Sequence, residues 1–194
     1  MQPRLRETAA GRRKVFSDDA AHFVLGVFLG MIRCFSRILV ETGAGRQRPS
    51  VLAALDSHSK EVIKVTTEGH VHAGTVCALL EKIRTVHPDI SITLVLDNAS
   101  YQQCRLTQEK ASAANIELLL LRAYSPNLNL IERLWNLVKK ECLLNRYHAD
   151  FASFKAATNG CLDQLGSQSK DKLHSLASLK FRSFHFPQTS CALV

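Results

Sequence analysis

The sequence lacks an apolar run long enough to cross a bilayer. Its longest such run, Phe23–Ile32, contains ten residues, two of them glycines, whereas a membrane-spanning helix needs about 20. Asp18 and Asp19 precede this run and Arg33 follows it directly, which differs from the basic start and small-residue cleavage pattern of a secretory signal. We therefore predict a protein with neither a membrane span nor a signal peptide.

Closely spaced cysteines are also missing. The six cysteines occupy positions 34, 77, 104, 142, 161 and 191, and no two are two to four residues apart, as zinc ligands commonly are. We expect free thiols in a reducing compartment. His70 and His72 are two residues apart, but no cysteine or acidic cluster stands beside them. A surface loop is therefore favoured over a metal site for this pair.

Internal repeats and low-complexity tracts are absent, and the composition is that of a globular protein. The chain has 194 residues, 46% hydrophobic and 22% charged, which predicts one domain with a substantial core. Lys and Arg number 25 against 17 Asp and Glu, a net charge of +8. This excess favours an anionic partner, nucleic acid first. We expect residues 1–11 to be a linker or a ragged start, residues 12–184 to form the domain and residues 185–194 to be a loose tail.

Hydrophobic periodicity predicts strands first and then strands alternating with helices. The predicted strands are Val15–Asp19, Ser50–Asp56, Glu61–Thr66, Ile90–Leu96 and Ile116–Leu121, with further strand content in Phe23–Val40. The predicted helices are 76–86, Tyr101–Ala114, Leu130–Leu143, Phe151–Leu165 and Ser169–Phe181. A polar turn at Ser57–Lys60 predicts an antiparallel hairpin, while the later alternation predicts parallel neighbours. The fold class is therefore α/β, a mixed sheet with helices on its faces.

Three acids stand at predicted element boundaries. Asp19 and Asp97 end strands, and Glu132 falls in the first turn of a helix. Ligand sites in open sheets with parallel strands lie beyond the carboxyl ends of those strands. Converging carboxylates can hold paired divalent metals that activate a nucleophile against a phosphodiester, and Mg²⁺ prefers such oxygen ligands. Together the three acids predict a two-metal catalytic site.

Each acid also has a purely structural interpretation. Asp97 can close its strand in an Asx turn with Asn98. Glu132 can be the third-position partner of an Asn129 helix cap. Asp19, with Asp18 beside it, can belong to a solvated turn. The spacing between the acids does not choose between these interpretations.

The residues around the acids resemble a known family. Leu94–Ala99 reads Leu-Val-Leu-Asp-Asn-Ala, and 124–135 reads Tyr-Ser-Pro-Asn-Leu-Asn-Leu-Ile-Glu-Arg-Leu-Trp. Both resemble the catalytic core of the mariner-related DDE transposases, specifically their bacterial insertion-sequence branch. Residues 12–22, Arg-Arg-Lys-Val-Phe-Ser-Asp-Asp-Ala-Ala-His, are similar to the first strand of that family. The resemblance runs from about Gly11 to Phe181 and implies that Asp19, Asp97 and Glu132 are catalytic and bind metal.

The resemblance also implies a fold and a reaction. The implied fold is RNase H-like, a mixed five-stranded sheet flanked by helices, with extra C-terminal helices. The implied cofactors are two Mg²⁺ or Mn²⁺ ions, and the reaction is cleavage at transposon ends followed by joining of the freed 3′ hydroxyl to target DNA. The implied partners are transposon-end and target DNA, with a homodimer or a full-length transposase protomer as a further candidate. The implied location is the bacterial cytoplasm, at the nucleoid.

Further residues are expected to support such a site. Asn98 and Asn129 are candidates for orienting the metal-binding acids without binding the metal themselves. Turn formation explains Asn98 equally well. Phosphate contacts to DNA, which are independent of sequence and sensitive to salt, are assigned to Arg12, Arg13, Lys14, Arg133, Lys139 and Lys140. The alternative is that these basic groups solvate a helix and a tail. Trp135 is expected to pack in the core rather than stack on a base, and His22 is a candidate proton carrier.

The chain departs from the family pattern at several positions. Leu130 stands where the family has proline, and Arg33 interrupts an apolar stretch. Ser17 and Asp18 occupy strand positions that favour apolar residues, and burying an unpartnered Asp18 is costly. The helix-turn-helix module that recognises transposon ends is expected to be absent. The sequence thus leaves three hypotheses: an active transposase catalytic domain, an inactive remnant that binds DNA or a transposase protomer, and a general nuclease of the same fold.

Overall fold

The structure, a computed structural model, describes residues 2–26, 35, 48–97, 99–121 and 129–167. The strands described are β1 (Arg13–His22), β2 (Ser50–Asp56), β3 (Val62–Thr67), β4 (Ser91–Leu96) and β5 (Ile116–Leu120). The α-helices described are α1 (Gln2–Ala9), α2 (Ala73–Val86), α3 (Arg105–Ala113), α4 (Ile131–Val138) and α5 (Phe151–Ser167). A 3₁₀ turn (Ser100–Gln102) precedes α3, and a π-helical segment (Lys139–Leu143) continues α4.

The five strands form one mixed sheet in the order β3-β2-β1-β4-β5. β1, β2 and β3 pair antiparallel, whereas β4 pairs parallel with both β1 and β5. The predicted fold class, a mixed five-stranded sheet flanked by helices, is confirmed. The antiparallel side is the predicted hairpin, and the parallel side arises because a helix returns the chain between successive strands.

Alternation along the strands divides the core into two layers. On one side, Val51 and Ala53 of β2 pack with α4 and α5. On the other side, Leu52 and Ala54 of the same strand pack with α2 and α3. All seven residues of β2 are buried, because helices cover both faces of the sheet at this strand. The sheet is therefore a rigid platform with helices above and below it.

Local signals explain the bounds of α2. The ring Nδ1 of His72 accepts a hydrogen bond from the Gly74 backbone N–H at 3.0 Å and caps the start of the helix. The helix ends at Val86, just before the predicted stop at His87-Pro88, where proline disfavours helical geometry in the preceding residue. Because His72 caps a helix, the loop interpretation of the histidine pair agrees with the structure, and the metal interpretation gains no support.

The amino terminus differs from its prediction. Residues 2–9 form helix α1 rather than a linker. Arg4 of this helix donates to the Glu117 carboxylate of β5 at 3.0 Å, and the hydroxyl of Thr8 donates to the Arg4 carbonyl at 2.9 Å. The tertiary ion pair outweighs the weak local pattern that argued for a linker. β1 also runs three residues past Asp19, so this acid lies within the strand rather than at its end.

The expectation of free thiols is wrong for one pair of cysteines. Cys142, in the π-helical segment, and Cys161, in α5, form a disulfide with Cα atoms 6.2 Å apart. Cys77 and Cys104 are free, as predicted, and Cys34 and Cys191 lie outside the described residues. The bridge ties the continuation of α4 to α5.

Other differences are smaller. α3 begins at Arg105 rather than Tyr101, because a 3₁₀ turn occupies the preceding residues. β5 is an edge strand with a mostly half-buried pattern, not the fully covered strand that its apolar run indicated. The strand content expected in 27–34 and 36–40, the helix Ser169–Phe181 and the tail 185–194 lie outside the described residues. Within the part of the chain that the structure describes, no helix combines the length and apolarity that a bilayer span requires.

Candidate active site

The register between β1 and β4 brings two of the predicted acids to the same level. Ser17 pairs with Val95 in the parallel ladder, so the same register carried two residues further sets Asp19 beside Asp97. Neighbouring strands lie about 4.8 Å apart. Leu96 is the last residue of β4, and Asp97 follows it directly. Asp97 lies near enough to Asp19 for its charge to raise the pKa of that carboxyl.

Helix α4 brings the third acid to this face. Glu132 is in the first turn of α4, and α4 contacts β1 through Trp135, whose indole N–H donates to Asp19 Oδ2 at 3.0 Å. Asp19 and Glu132 both line an open cleft of about 390 Å³. The other lining residues are Ala20, Ala21, His22, Trp135, Asn136 and Lys139. Asp97 is exposed just outside this lining, and its Oδ1 accepts a hydrogen bond from the Ala99 backbone N–H at 3.3 Å.

The surroundings of Asp19 oppose its negative charge. Burial is the largest cause, and repulsion from Asp97 and Glu132 adds to it, which together raise the pKa of Asp19 from 3.8 to about 6. Hydrogen bonds from the Ala20 backbone N–H, at 2.8 Å, and from the Trp135 indole act in the opposite direction. Asp97 and Glu132 thus both lie near enough to Asp19 to oppose its charge, and a bound cation would relieve this repulsion.

This donor set fits Mg²⁺ or Mn²⁺ in chemistry. All three side chains offer carboxylate oxygens, the ligands that these ions prefer. The described residues contain no group of three or more His, Cys, Asp or Glu side chains already drawn together as metal ligands. Asp19 and Glu132 therefore share a cleft and Asp97 acts on Asp19 from close by, but the three acids do not form a closed cage.

Asp18 has the opposite environment to its neighbour. It is fully buried, its Oδ2 accepts a hydrogen bond from Gln102 Nε2 at 3.2 Å, and its Oδ1 has no partner. Burial, followed by repulsion from Asp19 and Asp97, holds the pKa of Asp18 well above its usual value. Strand alternation places Asp18 on the α2 and α3 side, so Asp19, not Asp18, faces the cleft.

Asn129 supports the strand that carries the acids. It is buried, and its Nδ2 donates to the Asp18 carbonyl at 3.4 Å. The cap position of α4 is Leu130, and no side chain caps the helix there. Asn129 and Glu132 thus do not form the capping box of the structural alternative. Asn98, the other residue expected to support the acids, lies outside the described residues.

Sequence reasoning missed the polar role of Trp135. The indole is buried, as predicted for core packing, and it meets the Phe23 ring edge-on with centroids 6.0 Å apart. Its hydrogen bond to Asp19 was not anticipated. Trp135 stands three residues after Glu132, a spacing that places two side chains on one face of a helix. This spacing was the available signal that Trp135 lies beside the acids.

The predicted DNA-contacting residues fall into two groups. Lys139 lines the cleft, Lys140 is exposed beside it in the π-helical segment, and Arg133 lies half-buried on α4. The second group lies around the start of β1, at the end of the strand away from His22. It consists of Arg12, Arg13 and Lys14.

Two members of the second group are already paired with acids. Arg13 contacts Glu7 at 2.5 Å and Glu117 at 3.1 Å. Lys14 contacts Asp56 and Glu61 at 2.9 and 3.0 Å, whereas Arg12 is exposed. The DNA contact of these residues stays a prediction, and their position gives it no support.

Comparison with solved structures defines the class of the fold. A Mos1 mariner paired-end complex with Mn superposes with a TM-score of 0.63 at 14% identity, over 95% of this chain and 61% of that one. The Mos1 paired-end complex with the left transposon end gives a TM-score of 0.62 at 14% identity, over 93% and 60%. The HTLV-2 integrase catalytic core domain in complex with magnesium gives 0.54 at 13% identity, over 79% and 86%. The fold is that of RNase H-like transposase and integrase catalytic cores.

The sequence then identifies the family. Residues 36–155, more than half of the chain, match the family described as DDE superfamily endonuclease, and the chain belongs to this family. The matched range contains Asp97 and Glu132 and begins after Asp19. No significant match was found among curated protein sequences. The chain spans about 60% of the length of the Mos1 chains that it resembles.

Proposed function

We propose that this chain is the catalytic domain of a mariner-related transposase of the bacterial insertion-sequence branch. Its reaction is divalent-metal-dependent cleavage of DNA phosphodiesters and transfer of the freed 3′ hydroxyl to target DNA. The observation that carries the proposal is that Asp19 and Glu132 line one cleft, with Asp97 near enough to act on the charge of Asp19. Membership of the DDE superfamily endonuclease family supports it.

The roles follow from the contacts. Asp19, Asp97 and Glu132 would hold two Mg²⁺ or Mn²⁺ ions, which supply positive charge to activate the attacking oxygen and stabilise the leaving one. Trp135 fixes the Asp19 carboxylate through its indole N–H. Lys139 contributes positive charge to the same cleft, where it attracts the phosphodiester backbone.

The proposed partners are transposon-end DNA, target DNA and a second transposase protomer. Among the similar structures, the Mos1 transposase is a complex with a transposon end, and the HTLV-2 integrase core is described as a dimeric form. For the present chain, the homodimer or the pairing with a full-length protomer belongs to the proposal, as does action at the bacterial nucleoid.

Nicking of supercoiled plasmid in Mn²⁺ tests the proposal. We expect the wild-type protein to convert the plasmid to the open circle and Asp97→Asn to abolish the conversion. The matched control is Asp89→Asn, because Asp89 is an exposed aspartate just before β4, at the opposite end of that strand. Equal nicking by wild type and Asp97→Asn would refute the assignment.

A second candidate is a catalytically inactive domain that only binds DNA or a protomer. The observation in its favour is that the described acids are not drawn together as a ready group of metal ligands. DNA binding without nicking, in both Mn²⁺ and Mg²⁺, would establish this alternative. Nicking that the Asp97→Asn variant loses would eliminate it.

A further inference from the structure

Three basic side chains gather at the end of the sheet where the cleft opens. His22 is the last residue of β1 and lines the cleft. It pairs with Ser50, the first residue of β2, which in turn pairs with Thr67 at the end of β3. Arg48 lies two residues before Ser50, and His70 three residues after Thr67. The register therefore collects His22, Arg48 and His70 at one sheet end, beside the acids.

Contacts within this group fix its geometry. The Nη2 of Arg48 lies 3.4 Å from both ring nitrogens of His70. The Nδ1 of His22 lies 2.7 Å from the hydroxyl of Ser50, and because Ser50 is fully buried, this hydrogen bond holds the exposed ring in one orientation. Among the residues that the structure describes, the other ring nitrogen of His22 has no hydrogen-bond partner, so it is available for a contact outside the sheet.

The group includes the permanent positive charge of Arg48, which no described acid balances. His22, Arg48 and His70 are all exposed, and among the described residues none of them forms an ion pair with a carboxylate. At the opposite end of β1, by contrast, Lys14 is neutralised by Asp56 and Glu61. Burial lowers the pKa of His22, and repulsion from Arg48 and His70 lowers it further. An anion at this place would remove the repulsion.

We propose that His22, Arg48 and His70 form a binding site for a backbone phosphate of the DNA strand that enters the cleft. The inference rests on the proposed function, because it takes DNA as the substrate. A guanidinium offers paired N–H donors that suit phosphate oxygens, and the imidazole N–H groups add further donors. Contacts to phosphates set the position of a protein along DNA without reading its sequence. The site therefore fixes where the strand lies relative to Asp19.

The test measures binding of duplex DNA by fluorescence anisotropy in EDTA, so that no metal-dependent step contributes. We expect Arg48→Gln to weaken binding about tenfold and to reduce the slope of log affinity against log salt by about 1, as loss of one phosphate contact does. Arg48→Lys keeps the charge and is expected to recover part of the affinity. The matched control is Arg6→Gln, which removes an exposed arginine of α1 at the far end of β1 and is expected to change affinity less than about twofold.

The outcomes separate the inference from the proposed function. Equal effects of Arg48→Gln and Arg6→Gln, or an unchanged salt slope, would overturn the phosphate site whatever the nicking assay shows. Loss of affinity in Arg48→Gln with recovery in Arg48→Lys supports the site even for a protein that fails to nick. His22→Gln gives a second measure, and it should weaken binding without changing the melting temperature. An unaltered affinity in both Arg48→Gln and His22→Gln would likewise overturn the site.

Discussion

Two adjacent aspartates show how strand alternation assigns different chemistry to identical side chains. Asp18 turns into the α2 and α3 layer, where Gln102 donates a hydrogen bond to its carboxyl group. Asp19 turns towards α4, where it meets Trp135 and lines the cleft beside Glu132. Since successive side chains of a strand point to opposite faces, a shift of one residue in the register of β1 would exchange their roles.

The raised pKa of Asp19 predicts a pH-dependent stability. In the folded protein this carboxyl holds its proton up to about pH 6, whereas in the unfolded chain it ionises near its ordinary 3.8. The folded state binds the proton more tightly, so stability falls as pH rises from about 4 to about 6. We expect Asp19→Asn to raise the free energy of unfolding by roughly 3 kcal/mol at neutral pH in EDTA.

The measurement is urea unfolding of wild type and Asp19→Asn at neutral pH and below about pH 4. The gain should vanish at the lower pH, because the wild-type carboxyl is then protonated in both states. A gain of the same size at both pH values would show that packing, not charge, is responsible.

Asp18 predicts a contrasting result in catalysis. Because burial favours the neutral form of this carboxyl and raises its pKa, Asp18→Asn places a neutral group there and leaves an acceptor for Gln102. We expect it to retain nicking activity, while Asp19→Asn loses more than the roughly 10–100-fold that removal of a supporting residue costs a metal site. Initial rates of plasmid nicking in Mn²⁺ compare the two. Inactivity of a folded Asp18→Asn together with activity of Asp19→Asn would reverse the assignment.

At the scale of elements, α4 and α5 act as a unit because a disulfide joins them. Cys142 and Cys161 are 19 residues apart in the sequence, and closing a loop of that length stabilises a fold by about 3 kcal/mol in the chain-entropy description. We expect Cys161→Ser, or reduction of the wild type, to lower the melting temperature. Cys77→Ser, which changes a free thiol, should leave the response to dithiothreitol intact. A wild-type melting temperature that ignores the reductant would contradict the prediction.

Helices and strands were predictable where a periodic apolar pattern ended at a clear turn or helix-terminating signal. The β2–β3 hairpin had a polar turn between two β-rich runs, and α2 had its apolar face followed by His87-Pro88. α1 could not be predicted, because its position depends on a tertiary contact between Arg4 and Glu117, 113 residues apart. The disulfide could not be predicted either, since the spacing of its two cysteines matches no local motif.

The candidate site was predictable in its acids and not in its supporting contacts. The three acids were predicted from their positions at strand ends and at a helix start, and from the sequence motifs that flank them. The hydrogen bond between Trp135 and Asp19 crosses 116 residues, and Asn129 reaches the Asp18 backbone across 111. Such contacts follow from how α4 lies along β1, which the periodicity of one helix does not specify.

Over the whole molecule, the net charge of +8 is less informative than its distribution. At the start of β1, Arg13 and Lys14 belong to ion pairs that attach α1 and the β2–β3 turn to the sheet. At the other end, His22 lines the cleft with Asp19 and Glu132, and neither His22 nor Arg48 forms an ion pair with a described acid. Positive charge at that end can steer DNA towards the cleft.

The three acids predict that binding of a divalent metal stabilises the folded protein as a whole. Asp19 and Asp97 come together only when β1 and β4 pair, so a divalent ion that needs both binds the folded chain and stabilises it. At about 100 times its dissociation constant, the ion contributes about 2.7 kcal/mol, which corresponds to a rise in melting temperature of roughly 5–10 °C for a protein of this size. We expect that rise in Mn²⁺ for wild type and for Asp89→Asn. In Asp19→Asn and Asp97→Asn this rise in melting temperature should disappear.

Since Asp19→Asn already removes repulsion between the acids, its melting temperature in EDTA should exceed that of wild type, and Mn²⁺ should narrow or reverse the difference. A shift of equal size in all four proteins would mean that Mn²⁺ binds elsewhere and that the paired acids form no metal site.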